Sequence, residues 1–263
     1  MSDEARAEVS RSGRVLQLLI HNPAQRNAVK QEISRAMARE LRLAAHDDTI
    51  GAIVLGGSGE HFSAGGDLRT LYESRQVNPP QVHIDRVGAL NEFVRAIRQC
   101  PKPVIAAVEG NAAGAGMSLA LACDMIVASE SAQFTMAYVK IGLNPDGGAT
   151  WFLARGVAPQ LAAELAMTGT PCPAARLAQV GVVNRLVPAG TALAEAHALA
   201  TTLANSATRA IGRIKRELDA AHLQGWEAQL ELERGLFAEA LHGPEAGEGI
   251  GAFLDKRKAR FHP

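Results

Sequence analysis

The sequence has no excess of charge of either sign. Its 263 residues contain 27 lysines and arginines and 27 aspartates and glutamates, so the formal net charge is +0. A chain without an overall field has no general attraction for phosphate backbones or anionic lipid surfaces. We therefore predict that neither nucleic acid nor a membrane is a partner, because either would require a local basic patch.

Cysteine is scarce, and histidine is not clustered. The three cysteines, Cys100, Cys123 and Cys172, are odd in number and form no Cys-x-x-Cys pair. This pattern argues against both a disulfide framework and a structural zinc site. The eight histidines are scattered without the spacing of metal ligands, so we expect no metal site.

Long apolar runs are also missing. No run is long enough to span a bilayer, and the first ten residues, MSDEARAEVS, carry acidic residues and no apolar stretch of the secretory-signal type. Together with the cysteine pattern, these absences predict a cytoplasmic protein.

Short apolar segments alternate with helical patterns through the first part of the chain. The segments typical of buried strands lie at 15–20, 51–57, 103–110 and 124–129. Residues 30–45 instead show the apolar spacing of a helix. Buried strands that alternate with helices indicate an α/β core with crossover connections, which we predict at residues 1–200.

Helical periodicity dominates from Pro159 onward. It is interrupted by a predicted strand at 181–188. Two amphipathic helices are predicted at 223–243 and 245–261, the second with a basic end. We therefore predict a helical C-terminal region at residues 201–263.

Two glycine-rich turns each follow a predicted strand, at 56–68 (GGSGEHFSAGGDL) and 109–124 (EGNAAGAGMSLALACD). Neither contains the Gly-Lys-Ser/Thr of a Walker loop or the G-x-G-x-x-G of dinucleotide sites. Small residues allow a ligand to approach backbone N–H groups at the start of a helix, where these donors are unpaired. Two such amides directed at one oxygen would form an oxyanion hole.

Asp146 stands in the stretch IGLNPDGGAT and allows two interpretations. Pro-Asp-Gly-Gly is typical of a turn, and an aspartate there can cap the following helix. A carboxylate in apolar surroundings can instead serve as a base, because burial raises a pKa that is ordinarily about 3.9. Asp67 and Asp124 lie at element boundaries and are predicted to be caps, and Glu109 is predicted to be a solvated strand end.

Three ordered motifs resemble the crotonase superfamily of enoyl-CoA hydratases and isomerases. They are FSAGGDL at 62–68, KPVIAAVEGNAAGAGMSLALACD at 102–124 and FTMAYVKIGLNPDGGATWFLAR at 134–155. The likeness extends from HNPAQRNAV to FLDKRKARF and so covers nearly the whole chain. It implies a crotonase (ClpP-like) fold of repeated ββα units with a helical C-terminal trimerisation region, assembled as a homotrimer or a dimer of trimers.

The resemblance also implies a substrate and the residues that hold it. The substrate would be an acyl-CoA thioester, so coenzyme A is part of the substrate and no separate cofactor is expected. The backbone N–H groups of Ala64 and Ala115 would hold the thioester carbonyl. Arg26, near the start of the family's adenine pocket, and Lys256, in the basic C-terminal segment, would contact coenzyme A.

The departures from the family pattern favour one reaction. Hydratases of the family use two glutamates, whose matching positions here are Ser118 and Tyr138. Eight residues beyond the second lies Asp146, a position that is aspartate in enoyl-CoA isomerases of the 1,2-epoxyphenylacetyl-CoA type. Shifting a double bond needs no water and only one carboxylate. We therefore predict an isomerase with Asp146 as the catalytic acid/base, and Ser118 and Tyr138 as pocket lining.

Other functions remain open from the sequence alone. They are a specialised hydratase, a non-catalytic acyl-CoA-binding protein and an RNA-binding relative. The acyl group is not determined and could be aliphatic or aromatic. Its pocket walls are predicted within residues 68–94, including a mobile loop at QVNPPQ, residues 76–81.

Overall fold

The computed structural model describes residues 4–262, which form two β-sheets surrounded by helices. The strands of this part of the chain are β1 (Arg6–Ser12), β2 (Val15–His21), β3 (Ala52–Gly57), β4 (Val104–Val108), β5 (Asn111–Ala113), β6 (Met125–Ser129), β7 (Gln133–Thr135), β8 (Cys172–Pro173) and β9 (Arg185–Val187). The helices are α1 (Gln31–Ala45), α2 (Leu68–Val77), α3 (Pro80–Gln99), α4 (Ala115–Ala122), α5 (Ala149–Gly156), α6 (Pro159–Thr168), α7 (Ala174–Gln179), α8 (Ala192–Ala204), α9 (Thr208–Ala221), α10 (Trp226–Leu241) and α11 (Pro244–Leu254).

The larger sheet has the strand order β1-β2-β3-β4-β6-β9. β1 pairs antiparallel with β2, and the other neighbours pair in parallel. β4 is buried along its whole length, which explains why its sequence is continuously apolar rather than alternating. The smaller sheet has the order β5-β7-β8. Because parallel strands end at one edge of a sheet, the segments after β3 and β4 emerge side by side.

Helices cover both faces of the larger sheet. On one face, α1 buries Ile33, Met37 and Leu41 in the main core and packs against α3. On the other face, α8 packs against β3, β4 and β6 and forms a second apolar cluster. The predicted α/β class and the predicted helix at 30–45 are confirmed.

Most predicted strands are confirmed. The structure differs from the predictions in one strand that is shorter, one strand that was not predicted and one helix that ends earlier. The predicted strand at 181–188 is only three residues long, as β9. β1 was not predicted, because its side chains are half-buried or exposed and give no apolar pattern. The predicted helix at 245–261 is wrong in extent, since α11 ends at Leu254 and its basic end lies beyond the helix.

The predicted mobile loop at 76–81 is wrong. α2 continues to Val77, and α3 begins at Pro80. Proline fits the first turn of a helix, because its missing N–H would be unpaired there in any case. The two prolines therefore start a helix instead of forming a loop.

The predicted boundary at residue 200 lies inside α8, which ends at Ala204. The C-terminal helices begin with α9 and make side-chain contacts to the core. The division into residues 1–200 and 201–263 stays a prediction, and residues 1–3 and 263 lie outside the described part. None of the described helices is long and apolar enough to cross a membrane.

Candidate active site

The segments after β3 and β4 are held side by side by backbone hydrogen bonds. The amide of Ser63 donates to the carbonyl of Asn111 at 3.0 Å, and the amide of Ala113 donates to the carbonyl of Ser63 at 2.9 Å. Gly65 fits against them with φ +87°, and a Cβ there would lie 2.5 Å from the carbonyl oxygen of Ala113 and 3.0 Å from the amide nitrogen of Ala115. Only glycine allows this close approach.

Ala115 is the first residue of α4 and has an amide available for a ligand. The preceding Gly114 adopts φ 51°, a conformation that favours glycine and directs the chain into the helix. The first amides of a helix have no intrahelical acceptor. Within residues 4–262, no hydrogen bond engages the Ala115 amide. Its assignment as an oxyanion-hole donor stays a prediction.

The prediction for Ala64 is contradicted by its hydrogen bond. Its amide donates to the carbonyl of Arg26 at 2.9 Å, because Arg26 and Asn27 adopt left-handed conformations that turn the chain toward this loop. The amide of Gly66 has no acceptor in the described part of the chain. Gly66 is therefore the candidate that sequence reasoning missed. The sequence of the loop held no signal for this choice, because every amide in it is of the same chemical type. The next residue, Asp67, caps α2 as predicted by accepting from the Thr70 amide at 3.2 Å.

Asp146, Tyr138 and Ser118 form one hydrogen-bonded cluster. The hydroxyl of Tyr138 donates to Oδ1 of Asp146 at 2.6 Å. Oγ of Ser118 lies 3.1 Å from the backbone oxygen of Asp146 and 3.3 Å from the hydroxyl of Tyr138. Tyr138 and Ser118 are buried, and Asp146 is half-buried. Three predicted site residues, separated in sequence, are thus brought together in the fold.

The carboxylate of Asp146 is not the cap of α5. The residue before that helix is Gly148, and no side chain in the described part of the protein caps the helix. It is the backbone carbonyl of Asp146 that accepts from the Ala149 amide, at 3.2 Å. The Pro-Asp-Gly-Gly stretch therefore makes a turn with its main chain and leaves the side chain free for another role.

Burial sets the protonation chemistry of this cluster. It raises the pKa of Asp146 above the ordinary range, and the hydrogen bond from Tyr138 partly opposes that rise. Burial and the adjacent carboxylate also raise the pKa of the Tyr138 hydroxyl. Tyr138 thus remains a neutral donor at physiological pH, while Asp146 is a stronger base than an exposed aspartate.

The two residues predicted to bind coenzyme A differ in their placement. Arg26 is exposed beside the glycine loop, to which its carbonyl is bonded. Lys256 is exposed after α11, with φ 55°. Across residues 4–262, no hydrogen bond or ion pair connects either side chain to Asp146, and both contacts with coenzyme A stay predictions.

Other polar groups have structural positions. Glu109, predicted to be a solvated strand end, instead accepts from the amide of Ala192 at the start of α8, at 2.8 Å. No group of three or more His, Cys, Asp or Glu side chains among the described residues could hold a metal ion. A cleft of about 590 Å³ lined by Arg14, Lys102 and Arg216, among others, contains none of the predicted site residues.

Known proteins resemble the chain over nearly its full length. At 36% identity over 251 residues, it is similar to the 1,2-epoxyphenylacetyl-CoA isomerase of Escherichia coli K12, with 94% of each chain covered. It is 34% identical over 257 residues to the 2,3-dehydroadipyl-CoA hydratase of the same strain, covering 96% of this chain and 97% of that protein.

The crystal structure of an enoyl-CoA hydratase from Polaromonas sp. JS666 superposes with a TM-score of 0.95 at 42% identity, covering 98% of this chain and 100% of that one. The sequence model of the enoyl-CoA hydratase/isomerase family matches residues 10–263. These matches confirm the fold expected from the three motifs. The chain belongs to the enoyl-CoA hydratase/isomerase family of the crotonase superfamily.

Proposed function

We propose that this protein is an enoyl-CoA isomerase that moves a carbon–carbon double bond by proton transfer at Asp146. The observation that carries the proposal is the half-buried carboxylate itself. It lies in a hydrogen-bonded cluster with Ser118 of α4, the helix whose first amide, that of Ala115, is unpaired in the described part of the chain. A base of raised pKa thus stands near a donor suited to a thioester oxygen.

The proposed reaction uses the carboxylate of Asp146 as the base and backbone amides as donors to the thioester oxygen. Asp146 takes a proton from C2 of a 3-enoyl-CoA, and the electron pair of that C–H bond is delocalised onto the thioester oxygen. The amides of Ala115 and Gly66 stabilise the negative charge, an effect for which loss of one donor typically decreases the rate by roughly 10²- to 10³-fold. Asp146 then returns the proton to C4, which yields the 2-enoyl-CoA.

Hydration is the second candidate, because the 2,3-dehydroadipyl-CoA hydratase and the Polaromonas protein that resemble this chain are hydratases by name. Adding water requires a group that activates the water and a donor for the neighbouring carbon. The positions of the two family glutamates hold Ser118 and Tyr138, and neither hydroxyl is a base near neutral pH. Asp146 alone would have to perform both tasks, which makes isomerisation the simpler chemistry for this cluster.

The substrate and the assembly belong to the same proposal. Arg26 and Lys256 would contact coenzyme A, Lys256 after association of subunits into a homotrimer or a dimer of trimers. An acyl-CoA-binding protein without turnover and an RNA-binding relative are the non-enzymatic alternatives. The formal net charge of +0 disfavours RNA.

The first prediction concerns Asp146 directly. Asp146→Asn and Asp146→Ala should decrease kcat on a 3-enoyl-CoA by about 10²- to 10⁴-fold, because each removes the acid/base group. The conversion is followed by mass spectrometry or chromatography of the two isomers. Intact-mass analysis checks the asparagine variant, since an Asn-Gly pair can hydrolyse back to aspartate. Asp48→Asn, an exposed aspartate after α1, is the matched control and should retain activity.

Full isomerase turnover by Asp146→Ala would show that the assignment is wrong. Loss of the enoyl absorbance of crotonyl-CoA, faster than isomerisation of any 3-enoyl-CoA, would favour the hydratase. Binding of acyl-CoA without conversion of enoyl, dienoyl or aryl-epoxide substrates would favour the non-catalytic alternative.

A further inference from the structure

The contact between Tyr138 and Asp146 has the geometry of a strong hydrogen bond. At 2.6 Å it falls in the range of hydroxyl groups that donate to a charged carboxylate, about 2.5–2.7 Å. Tyr138 is only 8% exposed, so water does not compete freely for its hydroxyl. One of the two oxygens of the carboxylate, Oδ1, is therefore engaged by this hydrogen bond.

Ser118 fixes the same cluster from the other side. Its hydroxyl lies 3.1 Å from the main-chain oxygen of Asp146 and 3.3 Å from the hydroxyl of Tyr138. Gly147 packs so closely that a Cβ there would lie 3.1 Å from the Cβ of Ser118 and 3.2 Å from Leu90 of α3. The main chain at Asp146 is thus held against α4, and Tyr138 fixes the rotation of the carboxyl group.

We propose that Tyr138 is a positioning residue that keeps Oδ1 of Asp146 occupied and leaves Oδ2 as the oxygen that exchanges protons with the acyl chain. This inference rests on the proposed isomerase function. It assigns Tyr138 a role that a space-filling pocket residue would not have.

The protons balance in this arrangement. The hydroxyl of Tyr138 has one proton, which it donates to Oδ1 while Asp146 is ionised. When the C2–H bond breaks, its proton goes to Oδ2 and its electron pair to the dienolate, and Oδ1 still accepts from Tyr138. The proton then leaves Oδ2 to form the C4–H bond with the dienolate electron pair. Tyr138 keeps its own proton throughout, as expected for a phenol whose pKa is raised by burial.

The hydrogen bond also affects the strength of the base. Burial raises the pKa of Asp146, and donation from Tyr138 lowers it. Of the side chains in the described part of the protein, Tyr138 is the titratable group in contact with this carboxylate, and no ion pair involves Asp146. α4 contributes the uncharged Ser118 and α3 the apolar Leu90. Removing the Tyr138 hydroxyl should therefore raise the pKa of Asp146 further.

The test is the pH dependence of kcat/KM for isomerisation of a 3-enoyl-CoA by Tyr138→Phe. The base must be ionised, so activity is lost as the pH falls through the pKa of Asp146. We expect this acid limb to move to higher pH by about one unit, with a decrease of roughly 10-fold in kcat on the plateau. Titration of the carbon-13-labelled carboxyl group by NMR, without substrate, should give the same shift. Tyr72→Phe, which alters an exposed tyrosine, should leave the limb in place.

A second measurement does not require the Tyr138→Phe variant to fold. The chain has two tyrosines, so biosynthetic incorporation of difluorotyrosine into the Tyr72→Phe protein labels position 138 alone. Fluorine makes the phenol a stronger donor, and the acid limb should therefore move to lower pH. Opposite shifts of the acid limb in Tyr138→Phe and in the protein with difluorotyrosine at position 138 support the inference.

The inference would be overturned if neither the acid limb nor the pKa of the Asp146 carboxyl group changed in Tyr138→Phe or in the fluorinated protein. The isomerase assignment would still hold in that case, provided that Asp146→Ala is inactive. Full turnover by Asp146→Ala would instead reject the assignment itself, together with the inference that depends on it.

Discussion

The half-buried position of Asp146 opposes the ionised form that its proposed role requires. Its backbone belongs to a turn before α5, and its carboxyl group is half-buried against Tyr138. Burial disfavours the ionised form, yet the ionised form is the one that can take a proton. The folded chain therefore binds a proton at Asp146 more tightly than the unfolded chain does. Functional groups of this kind commonly decrease the stability of the protein that contains them.

This conflict predicts that Asp146→Asn stabilises the fold while it removes activity. Above the raised pKa, ionised Asp146 lowers the free energy of unfolding by ~1.4 kcal/mol for each unit by which folding raises its pKa. The effect disappears below the unfolded pKa of about 3.9. Scanning calorimetry should show a higher Tm for Asp146→Asn at pH 8, by roughly 2–4 °C per kcal/mol, and a smaller difference near pH 4.5. A lower Tm at pH 8 would contradict this prediction.

At the same scale, the sequence identified side chains better than backbone donors. Asp146, Ser118 and Tyr138 were all predicted from motif positions, and the fold brings them together. Ala64 was assigned as a donor, but its amide is bonded to Arg26. Every residue of the glycine loop has an amide of the same chemical type. Only the path of the neighbouring chain decides which amide stays free, and the sequence of the loop does not contain that information.

Helix α9 is attached to the core by a buried lysine and by half-buried ion pairs. Nζ of Lys215 donates to Oδ2 of Asp124 at 2.7 Å and to the carbonyl of Ile97 at 2.9 Å, and the Lys215 side chain is only 8% exposed. Arg98 of α3 pairs with Asp219 of α9 and lies 3.4 Å from Asp124. Asp124 was predicted to be a cap and is instead the centre of an ion-pair network.

Lys215→Met should destabilise the protein strongly, because it leaves the carboxylate of Asp124 without its closest cation. Removal of one partner from a buried pair typically costs about 3 kcal/mol or more. The matched control is Arg42→Met, which breaks an exposed pair with Glu92 between α1 and α3 and should change the unfolding free energy by less than ~1 kcal/mol. Urea denaturation measures both. Equal effects of the two variants would show that the network does not anchor α9.

The whole molecule exposes an apolar face on its C-terminal helices. On α10, Trp226, Leu230, Phe237 and Leu241 share one face of the helix, and Trp226 and Phe237 are 71% and 70% exposed. A face of this kind is typical of an interface between subunits. It supports the trimer or dimer of trimers that the family resemblance implies.

We predict that the 27.7 kDa chain elutes at three or six times its own mass in light-scattering chromatography. Phe237→Ser should shift the protein toward the monomer, because it removes exposed apolar area without disturbing the core. Leu43→Ser removes an exposed apolar side chain from α1 instead and should leave the mass of the assembly unchanged. A monomeric parent protein would contradict the prediction.

The sequence by itself determined the α/β class, the alternation of strands and helices in the core, and the position of the candidate carboxylate. These features are local: apolar periodicity follows from which faces are buried, and a motif keeps its chemistry wherever the chain carries it. The tertiary structure decided that Asp146 faces Tyr138 and that Asp124 binds a lysine of a distant helix. It also decided that, among residues 4–262, the Ala64 amide has an acceptor and the Gly66 amide has none. Each of these depends on contacts between segments far apart in sequence, and no local pattern records which of several equivalent groups will find a partner.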